Sequence, residues 1–286
     1  MNGRRFTRFA AIDWSGARGS RHPGIALALC DSGDTAPELV SPPDRHWSRT
    51  GIRDWILERA ADPLLIGFDM SFCAPILDRG AYLPGESSAT DARAFWAYVD
   101  AQSEDEDLGA ASFLGSRRGR HFYLGAADGP KARFMHFRRC EQHFNASGGG
   151  KVTTVYDAIG AAQVAKASFA GMRLLHALDG KVAIWPFDPL PASGAVVVEI
   201  YTAIAARAAG LPKGRSKLRD AAALDAALAA LDTRPHAPLA RYDDHATDAI
   251  LAAAWLRANA ARADLWNPPA LTAEIARAEG WTFGIG

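Results

Sequence analysis

Cysteine is scarce in this 286-residue chain, net charge is missing, and so is any long apolar run. Cys30, Cys73 and Cys140 stand far apart without a Cys-x-x-Cys pair, which excludes a disulfide framework and a thiolate zinc site and suits a reducing cytosol. No stretch reaches the roughly 18 apolar residues of a membrane-spanning helix. The opening MNGRRFTRFAAIDWSG has a basic front, but its apolar stretch stops at Ile12 because Asp13 follows, leaving no signal-peptide core. The 32 basic residues are balanced by 32 acidic ones. Whole-molecule attraction to a polyanion is thereby excluded, and any nucleic-acid contact must come from a local patch. What is present is ample core material, 49% hydrophobic. The expectation is a soluble, cytoplasmic protein with no membrane partner.

Hydrophobic periodicity gives a mixed order of elements. Arg8–Asp13 (RFAAID) and Gly24–Cys30 (GIALALC) read as a strand pair around a Trp14-Ser15-Gly16 turn, with a weak third strand near Glu38–Val40 among prolines. Gly51–Ala60 has helical spacing, and Leu64–Asp69 (LLIGFD) is apolar almost throughout, as a strand covered on both faces would be. The first 70 residues therefore read β-β-β-α-β, with Asp13 and Asp69 each closing a strand. Residues 71–150 break this rhythm with a loop, a helix over Ala89–Ala101, an acidic run over 104–107 and a Gly/Arg segment. An insertion of that length is commonly functional. A long helix over Val155–Leu178 follows, then strands at Lys181–Phe187 and Ala195–Tyr201. Helices are expected at Ala203–Ala209, Lys217–Leu231, Asp244–Ala260 and Thr272–Ala278. The chain reads as one α/β domain over 1–286, a mixed sheet flanked by helices, with a large substrate-facing insertion at about 71–150 after the fourth strand.

Four acids sit where an apolar element ends or is interrupted. Ligands of open α/β sheets bind beyond the carboxyl ends of the strands, where strand order reverses, and Asp13 and Asp69 can meet there. Singly, each can equally be a turn cap. Glu199 interrupts the strand AVVVEIY. A buried carboxylate needs a cation, a metal or a cleft, whereas simple alternation would put it on a wet face. Asp244 and His245 lie four and three residues before Asp248 in a helix otherwise made of Ala, Ile, Leu and Trp, so either can share a face with it. Asp243 and Asp244 suit the positive end of the helix dipole; Asp248, a turn further in, fits that role less well. Gathered together, these acids repel, and hard carboxylate oxygens suit Mg²⁺ or Mn²⁺. Paired divalent ions serve phosphodiester cleavage.

The insertion offers a surface for the substrate. Between Ser116 and His143 stand Arg117, Arg118, Arg120, Lys131, Arg133, Arg138 and Arg139, interleaved with Phe122, Tyr123, Phe134 and Phe137. Guanidinium groups hold phosphates and aromatic rings stack bases. The competing expectation is a solvated basic face whose aromatics belong to the core. Ser147-Gly148-Gly149-Gly150-Lys151 lacks the first glycine of a phosphate loop and reads as a joint.

The strand order with Asp13, Asp69 and a late helix bearing Asp248 resembles the ribonuclease H fold. More closely, the segments AAIDWSG, LIGFDMSFCAP, FRRCEQHF, VYDAIGAAQVAKASFAGMRLLHAL, VAIWPFD, VVVEIYT and DDHATDAILAAAWL resemble the bacterial family of predicted RNase H-like nucleases (domain of unknown function 429). The resemblance spans Phe9 to Leu256. It implies a metal-dependent nuclease core, with Asp13, Asp69 and Asp248 as metal ligands and Glu199 matching that family's acidic strand. His245 beside Asp248 is similar to the last-helix ligands of some Holliday-junction resolvases. The expected activity is metal-dependent phosphodiester cleavage of DNA or RNA using Mg²⁺ or Mn²⁺. In this reading Glu199 is a further ligand or orients water, and His245 is a ligand or proton shuttle. The arginines grip phosphates. Two other readings share this fold: an actin-like or sugar-kinase phosphotransferase, disfavoured because the first 70 residues are not duplicated, and a non-catalytic binding scaffold.

Overall fold

Strand β1 (Arg8–Asp13) turns Phe9 and Ala11 to one side and Ala10 and Ile12 to the other, so it is stable only with both faces covered. The computed structural model, which describes residues 5–86, 89–150, 152–159, 164–212 and 217–286, covers both. β1 pairs antiparallel with β2 (Ala26–Asp31), and β2 with the two-residue edge strand β3 (Glu38–Leu39). On its other side β1 runs parallel to β4 (Leu64–Asp69). With β5 (Ala183–Trp185) and β6 (Val196–Glu199), both parallel to their neighbours, the sheet has the order β3-β2-β1-β4-β6-β5. The protein is thus α/β, with a six-stranded mixed sheet flanked by helices.

One face carries α1 (Arg49–Leu57), α2 (Ala92–Ala101), α3 (Ala111–Ser116) and α5 (Val164–Leu178), whose Ile52, Phe95, Phe113 and Phe169 pack in one core with Ile12 and Ile66. The other face carries α4 (Arg139–Ala146), α6 (Thr202–Ala208), α7 (Ala221–Ala229), α8 (Asp244–Asn259) and α9 (Ala263–Trp266), packed with Phe9, Leu65 and Val198. A last helix, α10 (Ala273–Ala278), leads into a tail whose Trp281, Phe283 and Ile285 are buried in that second core. None of the described helices is long and apolar enough to cross a membrane.

Several expected boundaries move. The helix expected over Val155–Leu178 begins at Val164; residues 160–163 of that span lie outside the described residues. Residues 155–159 are not helical, because their backbone serves a bridge to the insertion: Tyr123 N–H donates to Tyr156 C=O and Ala158 N–H to Tyr123 C=O, both at 2.9 Å. The helix expected from Lys217 starts only at Ala221, behind the cap of Asp220. Ser147–Gly150 ends α4, with Gly149 N–H closing on Phe144 C=O at 2.8 Å, while Lys151 lies outside the described residues.

Two glycines set how closely elements approach. A Cβ on Gly16 would stand 2.1 Å from the Lys166 carbonyl carbon, so only glycine lets the Trp14–Gly16 turn lie on α5, where Trp14 Nε1 donates to Ala167 C=O at 3.1 Å. On the other face a Cβ on Gly67 would meet Leu256 Cδ1 at 2.8 Å. Small residues, Gly67 on the strand and Ala249, Ala252 and Ala253 on the helix, bring α8 down onto the sheet.

Candidate functional site

Asp13 and Asp69 are register partners on neighbouring parallel strands, so their side chains leave the sheet on the same side, with backbones about 4.8 Å apart. Each is the last residue of its strand. The N-terminus of α8 comes over them, capped by the Asp243 side chain on Ala246 N–H, and delivers His245 and Asp248. His245 Nδ1 stands 3.2 Å from Asp13 Oδ2. Asp69 also caps α6, accepting from Thr202 Oγ1 at 3.0 Å and from Thr202 N–H at 3.4 Å.

Burial dominates the electrostatics of these acids, and their charges add to it. Burial pushes the Asp69 carboxyl up to about 7; the charge of Asp13 adds to this, Thr202 works against it, and Asp248 raises it further. Burial likewise pushes Asp248 up to about 6, with Lys217 opposing and Asp13 adding. His245 is raised, first by its bond to Asp13 and against its own burial. A divalent cation would neutralise this mutual repulsion, and the donors are hard oxygens. Among the described residues, however, no three His, Cys, Asp or Glu side chains are placed to hold one metal ion as they stand. Asp13 leans on His245, and Asp248 lies 3.4 Å from Lys217 Nζ.

Glu199 is corrected. It does not join the aspartates at the carboxyl ends of β1 and β4: its side chain is 4% exposed and both its oxygens are taken. Arg138 Nη1 donates to Oε2 at 2.8 Å, Phe72 N–H to the same oxygen at 2.7 Å, and Thr282 Oγ1 to Oε1. A buried carboxylate needed a cation, and an arginine of the insertion supplies it. A cavity of about 180 Å³ is lined by Asp69 and Tyr201 together with this Arg138–Glu199 pair.

The arginine patch is corrected in part. Arg117 and Arg138 are buried, the first paired with Glu86 and the second with Glu141 and Glu199, so neither reaches a ligand at the surface. Arg118, Arg120 and Arg139 are accessible but engaged with Asp128, Glu86 and Asp78. Arg133 is exposed, packs on the Phe134 ring and has no carboxylate partner among the described residues. Phe122 and Phe134 belong to the core.

Sequence reasoning missed Lys217, Arg219 and Thr202. Lys217 Nζ lies 3.0 Å from Asp244 Oδ2, and Arg219 Nη1 lies 2.6 Å from Asp244 Oδ1. Burial alone would raise Asp244, but these two cations hold it below the usual carboxylate range. Lys217 precedes Asp248 by 31 residues, with no periodicity linking them. Thr202 had a local signal, since a threonine opening a helix beyond a strand can bond a neighbouring strand end. No protein-family model, curated protein or solved structure matches this chain.

Proposed function

We infer that the chain is a metal-dependent phosphodiesterase of RNase H-like fold, acting on DNA or RNA. One observation carries this reading: Asp13 and Asp69 end adjacent parallel strands in register, and Asp248 is close enough for its charge to be felt at Asp69. The strand order β3-β2-β1-β4 with a helix laid across two strand-end acids supports the resemblance in fold. By the chemistry of the donors, Asp13, Asp69 and Asp248 would hold Mg²⁺ or Mn²⁺, and what such an ion supplies when bound is charge neutralisation at a phosphodiester. Holding an ion together requires Asp13 and Asp248 to shift from His245 and Lys217. His245, with Nδ1 toward Asp13, leaves Nε2 as the ring atom to take or give a proton. Arg133, exposed and without a carboxylate partner among the described residues, is the arginine of the patch left free to meet a phosphate.

Mn²⁺ should raise the melting temperature of the native protein by several degrees, and far less that of Asp13→Asn or Asp248→Asn. Cleavage of labelled single- and double-stranded DNA and RNA should require the ion and fall at least about 100-fold in either variant, the scale expected when transition-state charge stabilisation is lost. Equal Mn²⁺ responses in all three proteins would remove the metal site. The second reading, a non-catalytic scaffold, has one observation in its favour: most arginines of the insertion are spent on the protein's own carboxylates. Metal binding without cleavage of any of the four substrates would select it.

A further inference from the structure

The acids at the strands' carboxyl ends already have a cation beside them. Lys217 Nζ sits between Asp244, at 3.0 Å, and Asp248, at 3.4 Å. The two contacts are unequal. The first is the closer ion pair, and in the second the ammonium donates a long hydrogen bond to Asp248 Oδ2, at the edge of hydrogen-bonding range. Lysine is a point charge on a flexible stem, and about half of this side chain is exposed, so withdrawing it toward water costs little. Asp244 would not be stranded by that movement, because Arg219 Nη1 holds its other oxygen at 2.6 Å. Asp248 has no second cation among the described residues. Withdrawal of Lys217 therefore leaves Asp244 compensated and leaves Asp248 bare, facing the charges of Asp13 and Asp69.

We propose that Lys217 is the built-in counter-ion of this site: its ammonium neutralises Asp248 while no divalent cation is bound, and it yields that place when one enters. The proposal rests on the metal reading above and adds a competitor to it. A lysine at this position sets the affinity threshold of the site, since an entering cation must overcome both its attraction to Asp248 and its repulsion of a second positive charge.

Mn²⁺ binding measured by calorimetry and by the loss of the free-ion electron paramagnetic resonance signal tests this without any assay of activity. Lys217→Met and Lys217→Gln should each bind Mn²⁺ about tenfold more tightly than the native protein, a Coulomb effect discounted for the exposure of the lysine. Lys217→Arg, which keeps the charge, should stay within about twofold of native. Without metal, both neutral variants should melt below the native protein at pH 8 and gain more from Mn²⁺ than it does. Unchanged or weaker binding by both neutral variants overturns the counter-ion role, weaker binding meaning that Lys217 organises the site instead. Absence of binding by the native protein and every variant, equal to Asp13→Asn, removes the metal reading itself and this proposal with it.

Discussion

Residue by residue, the strand-end aspartates were legible as a pair, since one apolar run that stops at an acid is common but two of them in a parallel sheet can meet. What was not legible was their cost. Asp69, pushed up to about 7, binds its proton more tightly in the folded chain than in the unfolded one. The folded state therefore holds the extra proton between about pH 4 and pH 7, and this group's contribution to stability falls as pH rises through that window. Above it, the ionised carboxylate faces Asp13 and Asp248 at full charge. Asn keeps an oxygen for Thr202 and removes the charge. Asp69→Asn should thus melt about 2–5 °C above the native protein at pH 8 without divalent ions, with the difference closing by about pH 4. Thermal melts across that range check it, and a variant that is less stable at pH 8 would mean that Asp69 is compensated by a group other than those described. Glu199 shows the opposite kind of legibility. Its oddness in VVVEIY rightly demanded a partner, but nothing along the chain indicates that the partner is Arg138, 61 residues earlier, rather than a metal.

At the level of elements, apolar pattern located β1, β4 and α8 to within a residue or two, because each is a nearly unbroken apolar run, buried along most of its length and bounded by an acid. Ends decided by distant contacts escaped. Nothing in the acidic run 104–107 points to a partner, yet Asp107 reaches back to the start of α1. Its Oδ1 accepts from Thr50 N–H at 2.9 Å and Thr50 Oγ1 at 2.8 Å, and its Oδ2 from Arg49 N–H at 2.9 Å. His22 Nε2 lies 2.9 Å from the same Oδ2, and the Arg49 guanidinium is buried beside them. Burial would raise this carboxyl, but the bonds from His22, Thr50 and Arg49 outweigh it and bring it down to about 2. A depressed carboxyl stabilises the fold above its unfolded value and loses that contribution as pH falls from about 4 toward 2. Asp107→Ala should cost about 3–4 kcal/mol at pH 7, combining lost bonds to the first N–H groups of α1 with a buried guanidinium deprived of its counter-charge. Urea titrations at pH 7 and pH 3 should find the gap between native and variant smaller at the lower pH. A gap that stays constant would assign the loss to packing rather than to charge.

For the molecule as a whole, residues 71–150 looked like an insertion because they interrupt a βα rhythm, and in chain order they do lie between β4 and β5. Their physics is that of the core. Phe113 and Phe122 pack on Phe169 of α5 at ring separations of 5.2 and 4.9 Å, and Phe95 meets the same ring at 6.1 Å. Trp96 donates from Nε1 to Phe72 C=O at 2.7 Å. Arg138 neutralises Glu199 inside the sheet, and Asp107 holds the start of α1 on the far side. Sequence could not reveal this, since the aromatics of the segment carry no period that tells a stacked core from a base-stacking surface. Removing the segment would expose the α5 side of the sheet, strand Glu199 without its cation and take the Asp107 carboxylate from the first N–H groups of α1 and from Arg49, leaving Ser48 as that helix's cap. Leaving a buried ionic group without its partner costs about 3–5 kcal/mol, and that loss falls on both Glu199 and Arg49, against a total stability of about 5–15 kcal/mol for a domain. A chain in which 71–150 is replaced by a short Gly/Ser linker should therefore show no cooperative thermal transition and no dispersed amide spectrum, even with Mn²⁺ present. A cooperative melt of the shortened chain would mean that the sheet and its remaining helices form a self-sufficient core, and that the segment is a separable module laid over it.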